Sequence, residues 1–246
     1  MKEKIFKKIK INGVTLKNRF VVSPMCQYSS VDGSPTSWHY KHLTSLVNSG
    51  AGLLMIEATA VEKRGKITHS DMCLENNTQF KKLKKLVKNI QKTRDIKIGL
   101  QISHSGRKGS TELPWIKPNS TLKKKSWKTI SSSSIKRELD WPHPKEMNDE
   151  DINTVKKKFI NSSRLAKKLN IDCLELHMAH GYLLHQFFSP ISNKRKDKYG
   201  GNLTNRCRFL IEVAEKVRKI WPKNKVLGAR ITGIDWIKNG ITLKDS

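Results

Sequence analysis

Leu53-Leu54-Met55-Ile56-Glu57-Ala58 is the stretch from which the fold can be read. An apolar run without polar alternation suits a strand buried on both faces, as the strands of a parallel sheet are. Downstream, Phe80, Leu83, Leu86, Val87 and Ile90 share one helical face, and Lys81, Lys82, Lys84, Lys85 and Lys88 cover the other. Lys97-Ile98-Gly99-Leu100-Gln101-Ile102 then repeats the strand pattern. Upstream, Trp38, Leu43, Leu46 and Val47 form a shorter helical stripe closed by Gly50. It follows a short strand, Arg19-Phe20-Val21-Val22, that ends in Ser23-Pro24. Toward the C-terminus, Ile152, Val155, Phe159, Ala166 and Leu169 make a third stripe, with Asn148 and Asp151 spaced as a capping box. The strand Cys173-Leu174-Glu175-Leu176-His177 follows. Next come a helix on Phe209, Leu210, Val213, Val217 and Ile220, stopped by Pro222, and the strand Val226 to Ile231.

This alternation predicts an α/β domain, and its length and repetition favour a (β/α)8 TIM barrel over an open sheet. Ile9 to Lys17, around Asn12-Gly13, reads as a hairpin ahead of the first strand. Ser105 to Met147, with three Trp, reads as one extended βα loop.

Composition excludes several classes. With 246 residues and 36% hydrophobic side chains, the chain can bury a real core. No apolar run approaches the roughly 18 residues of a membrane-spanning helix. Met1 to Lys8 interleaves charge with apolar residues, unlike a secretory signal. Cys26, Cys73, Cys173 and Cys207 are widely spaced with no C-x-x-C, as expected of reduced thiols in a cytoplasmic protein. Cationic side chains outnumber anionic ones 49 to 21, for a net charge of +28. Lys greatly outnumbers Arg, whereas nucleic-acid readers lean on Arg, and the densest Lys runs lie on solvated helix faces. A basic nucleic-acid-binding protein therefore stands as the alternative from another class, with steeply salt-dependent binding as its signature.

A parallel barrel gathers its chemistry at the carboxyl ends of the strands. There lie Ser23-Pro24-Met25-Cys26-Gln27-Tyr28, then Ala58-Thr59-Ala60, then the run Gln101 to Lys108 (QISHSGRK). His177-Met178-Ala179-His180-Gly181-Tyr182 and Arg230-Ile231-Thr232 complete the set. His177 and His180 admit three readings: half of a metal site, a structural pair, or two neutral imidazoles donating to one substrate oxygen. No carboxylate or Cys stands at ligand spacing to favour the first. Cys26 by itself reads as a small hydrophobe as readily as a nucleophile. G-x-S-x-G, Walker A and G-x-G-x-x-G motifs are absent, which leaves hydrolase, NTPase and Rossmann readings unsupported.

Taken together, Leu16-Lys17-Asn18-Arg19-Phe20, Ser23 to Ser30, QISHSGRK, His177 to Leu183, and Phe188-Ser189-Pro190-Ile191-Ser192-Asn193 through Tyr199-Gly200-Gly201 resemble the Old Yellow Enzyme family of FMN-dependent oxidoreductases. The segments run in the family's order and are closest to the NADPH dehydrogenase and xenobiotic-reductase branch. The resemblance implies an eight-stranded barrel holding FMN, with NADPH or NADH as reductant and an α,β-unsaturated carbonyl or quinone-like small molecule as acceptor. By position, Ser23, Pro24, Met25, Cys26 and Ala58 would line the flavin, with Cys26 tuning its potential. Gln101 would pair with the pyrimidine edge, and Arg230 would place positive charge near the ring. His177 and His180 would hold the substrate carbonyl, Tyr28 would close the pocket, and Tyr182 would donate the proton. No membrane or nucleic-acid partner is implied, and a homo-oligomer is compatible with it.

Five barrel strands precede Lys244-Asp245-Ser246. The expectation is thus a partial barrel domain over 1–246, truncated after about five strands and lacking the FMN-phosphate corner. A non-catalytic remnant unable to retain FMN is the competing expectation.

Overall fold

The computed structural model describes residues 3–92 and 96–246. Asn12-Gly13 closes the expected hairpin between β1 (Ile9–Ile11) and β2 (Val14–Leu16), with Asn12 in the left-handed region at φ 52°. The chain then runs β3 (Val21–Val22), α1 (Ser37–Val47), β4 (Leu53–Ala60), α2 (Asn77–Gln91) and β5 (Lys97–Ser103). Next come β6 (Ile130–Ser131), β7 (Lys145–Glu146), α3 (Asp149–Lys167), β8 (Cys173–Met178), α4 (Leu183–Phe188), α5 (Leu203–Ile220) and β9 (Val226–Ile231).

Five strands form one all-parallel sheet in the order β3-β4-β5-β8-β9. The order never doubles back, as it would in a doubly wound sheet, so successive crossovers lay their helices on the same side. That is the winding of a barrel wall. The helix-side core joins Leu54 and Ile56 of β4, Ile98, Leu100 and Ile102 of β5, and Leu174 and Leu176 of β8 to the apolar stripes of α2, α3 and α5. The opposite face is split along each strand. At the amino end, Leu53, Met55 and Cys173 pack against Val14 and Leu16 of the hairpin, which floors the wall. At the carboxyl end the same face of β5, β8 and β9 carries Gln101, Glu175, His177 and Arg230. Parallel register sets these side by side: Gln101 is opposite Glu175, and His177 opposite Arg230.

The helices form as their sequences demand. Asn148 accepts from the Asp151 backbone at 2.9 Å while Asp151 accepts from Asn148 N–H, the expected capping box. Asn76 and Asn202 cap α2 and α5 in the same way.

Two expectations need correction, and one element was not expected. Trp38 does not join the apolar stripe of α1; it is 47% exposed and donates to Gln27 Oε1 at 3.0 Å. Its indole N–H needs a partner, and the strand-end loop supplies one. Residues 105–147 are not a plain loop. They contain a 3-10 turn at Gly106–Lys108 and the parallel pair β6–β7, anchored by buried Ser131, Ser132 and Ser133. Helix α4 was not foreseen, because all six of its residues are buried and no polar face marks its period.

Packing sets the expected energetics. Phe159 is fully buried in α3, so Phe159→Ala should cost about 3–5 kcal/mol in urea unfolding. Lys85→Ala on the solvated face of α2 should stay within about 0.5 kcal/mol, and a larger loss there would contradict the solvated-face reading of the basic charge.

Candidate active site

The site is built on the carboxyl end of β8. After Met178 the chain turns through His180 (φ 57°) and Gly181 (φ 73°), and Tyr182 becomes the N-cap of α4. This left-handed step folds the turn back on the strand. The rings of His180 and Tyr182 meet that of His177 nearly edge-on, with centroids 5.1 and 4.7 Å away. His177 Nδ1 accepts the Ala179 backbone N–H at 3.2 Å, so the proton of the neutral ring sits on Nε2. Burial, with the nearby His180, Arg230 and Lys108, pushes its pKa down to about 3. His177 is therefore a neutral N–H donor across the physiological range. His180 is more exposed and is also pushed down, by desolvation and then by Arg230 and Lys108. Burial raises the Tyr182 phenol, so it keeps its proton. Lys108 Nζ lies 4.9 Å from the Tyr182 ring and donates to the His180 carbonyl at 2.9 Å.

Beside these groups, Gln101 Nε2 donates to Glu175 Oε1 at 2.5 Å, and Arg230 Nε donates to the same oxygen at 3.0 Å. Glu175 thus aligns an amide and a guanidinium on three neighbouring strands. At the end of β3, Ser23 and Met25 are exposed, while Pro24, Cys26 and Tyr28 are half-buried beside buried Ala58. The Cys26 thiol is pushed well up by burial and then by the carboxylates of Asp71 and Glu57, so it is a neutral thiol in contact with Tyr28. Glu57 Oε2 accepts the Gln27 backbone N–H at 2.8 Å, which fixes this segment over β4.

The structure brings His180 and Tyr182 against His177, sets Tyr182 and Tyr28 on one cavity wall, and puts Gln101 and Arg230 on the neighbouring strands. Ser23 and Met25 lie on exposed backbone, and no bond ties their side chains to the cluster. Sequence reasoning missed Glu175 and a supporting set behind the turn, and gave Lys108 no role beyond its place in the QISHSGRK run. There, His185 Nδ1 accepts the Gly181 N–H at 2.6 Å, and His185 Nε2 lies 3.0 Å from Asp235 Oδ1. Asp235 also accepts from Ser189 at 2.6 Å. Glu175 was detectable by period two back from His177; Asp235, on the loop after β9, carries no local signal. Among the described residues no group of three His, Cys, Asp or Glu side chains is arranged to hold a metal ion, and no helix is long and apolar enough to cross a membrane.

The chain is 39% identical over 247 residues to an NADH:flavin oxidoreductase of Gibberella zeae, covering 98% of this chain and 60% of that one. It is 37% identical to an NADPH dehydrogenase of Geobacillus sp., covering 100% of this chain and 68% of the relative. The chain therefore spans about three fifths to two thirds of the length of these relatives. Among solved structures it is similar to an Old Yellow Enzyme from Pichia sp. (27% identity, TM-score 0.82, 94% of this chain and 60% of that one). A 2-naphthoyl-CoA reductase complex is also similar (25% identity, TM-score 0.87, 100% of this chain and 38% of that one). The model of the NADH:flavin oxidoreductase / NADH oxidase family matches residues 4–246, and the chain belongs to that family.

Proposed function

We propose that this chain carries the substrate-activating residues of an FMN-dependent NAD(P)H oxidoreductase that reduces the activated C=C of α,β-unsaturated carbonyl compounds. The observation that carries the reading is the neutral His177 imidazole. Its free Nε2–H stands against His180 and Tyr182, and Arg230 is its cross-strand neighbour.

The residues present fit FMN. Gln101 offers both a donor and an acceptor, the pattern that a pyrimidine edge requires. Arg230 spends Nε on Glu175 and keeps further N–H groups on a permanent positive charge. Ala58 leaves room where a larger side chain would fill the wall. FMN, when bound between these groups and the Ser23–Cys26 segment, supplies hydride chemistry, with NADPH or NADH as the source of electrons.

The chain's own residues do the rest. His177 and His180 donate to the carbonyl oxygen of the acceptor. Both are kept neutral, so they polarise that oxygen without first having to lose a counter-ion. As the C=C accepts a hydride at its β-carbon, negative charge collects on this oxygen, and the two N–H groups bind it more strongly than they bind the ground state. Tyr182 O–H, held protonated by burial, protonates the α-carbon. Lys108 and the His185–Asp235 pair hold the turn that carries both groups. Cys26 contributes a neutral polarizable thiol beside Tyr28.

The test is anaerobic. Protein equilibrated with FMN and freed of excess flavin should lose its visible flavin absorbance on adding NADPH and regain it on adding 2-cyclohexenone. Absorbance that NADPH leaves unchanged would contradict the reading.

Tyr182→Phe separates proton donation from positioning. Bleaching by NADPH and binding of phenolic ligands should stay near normal, and recovery with a quinone, which needs no carbon protonation, should be little affected. Recovery with the enone should slow about 10²- to 10⁴-fold. Equal slowing with quinone and enone would make Tyr182 a positioning residue.

A further inference from the structure

Next to the imidazole pair lies a cavity of about 200 Å³ that the reaction above leaves unused. The rings of Tyr28 and Tyr182 and the prolines Pro114 and Pro118 form the apolar part of its walls, and Glu112 and Asn119 stand in the polar part. Two cations line it, Lys108 from the turn after β5 and Arg137 from the segment between β6 and β7. Lys108 spends one N–H on the His180 carbonyl at 2.9 Å, which leaves two of its three donors. Arg137 Nη2 donates to Asn119 Oδ1 at 3.0 Å, and its guanidinium stacks 4.5 Å from the Trp141 ring, so its orientation is held before anything binds.

The charge balance of this slot is uneven. Arg107, the neighbour of Lys108, spends its guanidinium on the Ile135 and Lys136 carbonyls and adds a third positive charge. The opposing carboxylates are Glu138, 3.6 Å from Arg137 Nε and 59% exposed, Glu112 on the cavity wall, and buried Asp71 behind it, which accepts from the lining residues Ile67 and Thr68. None of the three lies within 4.0 Å of the Lys108 ammonium. His177 and His180 are neutral, and Tyr28 and Tyr182 keep their protons, so none of the four offsets the cations. Lys108 shows the strain: burial, then Arg137 and Arg107, push it down to about 8.

We infer that this slot is an anion subsite, and that the acceptor carries a carboxylate held by Lys108 and Arg137 while its conjugated carbonyl meets His177 and His180. The inference rests on the proposed oxidoreductase reading and narrows its acceptor to unsaturated carbonyl compounds bearing an acid group. A carboxylate suits a cavity that one ammonium and one guanidinium line together. An ammonium and a guanidinium can each take one of its oxygens. Anion binding also relieves the mutual repulsion of the two cations.

Two small planar probes test it, 4-hydroxybenzoate and its neutral isostere 4-hydroxybenzamide, titrated calorimetrically into the chain with flavin absorbance recorded on the same samples. At pH 7 the carboxylate should bind about tenfold tighter, or about 1.4 kcal/mol. The preference should shrink as pH rises through 8, since Lys108 then loses its proton. It should fall to within about twofold in both Lys108→Met and Arg137→Gln, with unchanged urea unfolding midpoints showing that both variants keep the fold. Equal affinity for the two probes, binding of neither, or a preference that survives both substitutions would overturn the subsite. A preference found in protein that does not respond to NADPH supports the subsite and counts against the flavin reading alone. An NADPH-responsive protein without the preference does the reverse.

Discussion

Strand β8 is the part on which the rest depends. It is paired in unbroken parallel register to β5 over Cys173–Leu176, opposite Gly99–Ile102, and to β9 over its whole length, opposite Val226–Ile231. Because side chains alternate at period two, this register leaves no choice about neighbours. Cys173 goes to the floor with the hairpin, Glu175 lands between Gln101 and Arg230, and His177 lands beside Arg230 at the rim. A slip of one residue would bury Leu176 where Glu175 stands and break every polar contact of the wall.

Desolvation then does the chemical tuning. The same burial that stabilises the wall keeps His177 neutral and keeps Tyr28, Tyr182 and Cys26 protonated. The cations nearby reinforce this for His177, since a second positive charge beside Arg230 and Lys108 is disfavoured. Buried polar groups behind the rim are tolerated where they are bonded. Gln186 illustrates it: its Nε2 donates to the Ser105 and Gly181 carbonyls at 3.1 and 2.7 Å, and its Oε1 accepts from Arg107 N. The turn after β5 is thereby tied to the turn after β8. Gly106 is the fitting residue there, since a Cβ would overlap the Gln186 amide and φ is +60°.

How far the sequence could be read follows from these forces. Continuous apolar runs marked β4, β5, β8 and β9, and amphipathic stripes marked α2, α3 and α5, because burial on one or two faces leaves a period behind. The residues on the rim were found because barrel chemistry collects at strand ends. Groups that act through partners distant in the chain were not. Asp235 reaches His185 across a gap of fifty positions, and Glu175 stood inside a strand that looked merely apolar. Helix α4, buried all round, has no polar face to set its period. The segment at 105–147 is polar and Ser-rich, yet several of its serines are buried; Ser132 Oγ donates to Gln186 O at 2.6 Å and Ser105 Oγ to Lys66 O at 2.8 Å. Composition cannot distinguish such a segment from a solvated loop. The charge of +28, prominent in composition, resolves into exposed Lys on helix faces and a few partly buried cations at the rim.

The account's central claim is that the wall of β5, β8 and β9 holds His177 as a neutral imidazole with its proton on Nε2. Nitrogen-15 NMR of labelled histidine, followed as a function of pH, tests this directly. The His177 signals should report the Nε2–H tautomer at pH 7 and stay unchanged as the pH falls through 6.5 to the edge of acid unfolding, in keeping with a pKa near 3. A titration centred near the ordinary histidine value, or a proton residing on Nδ1, would contradict it.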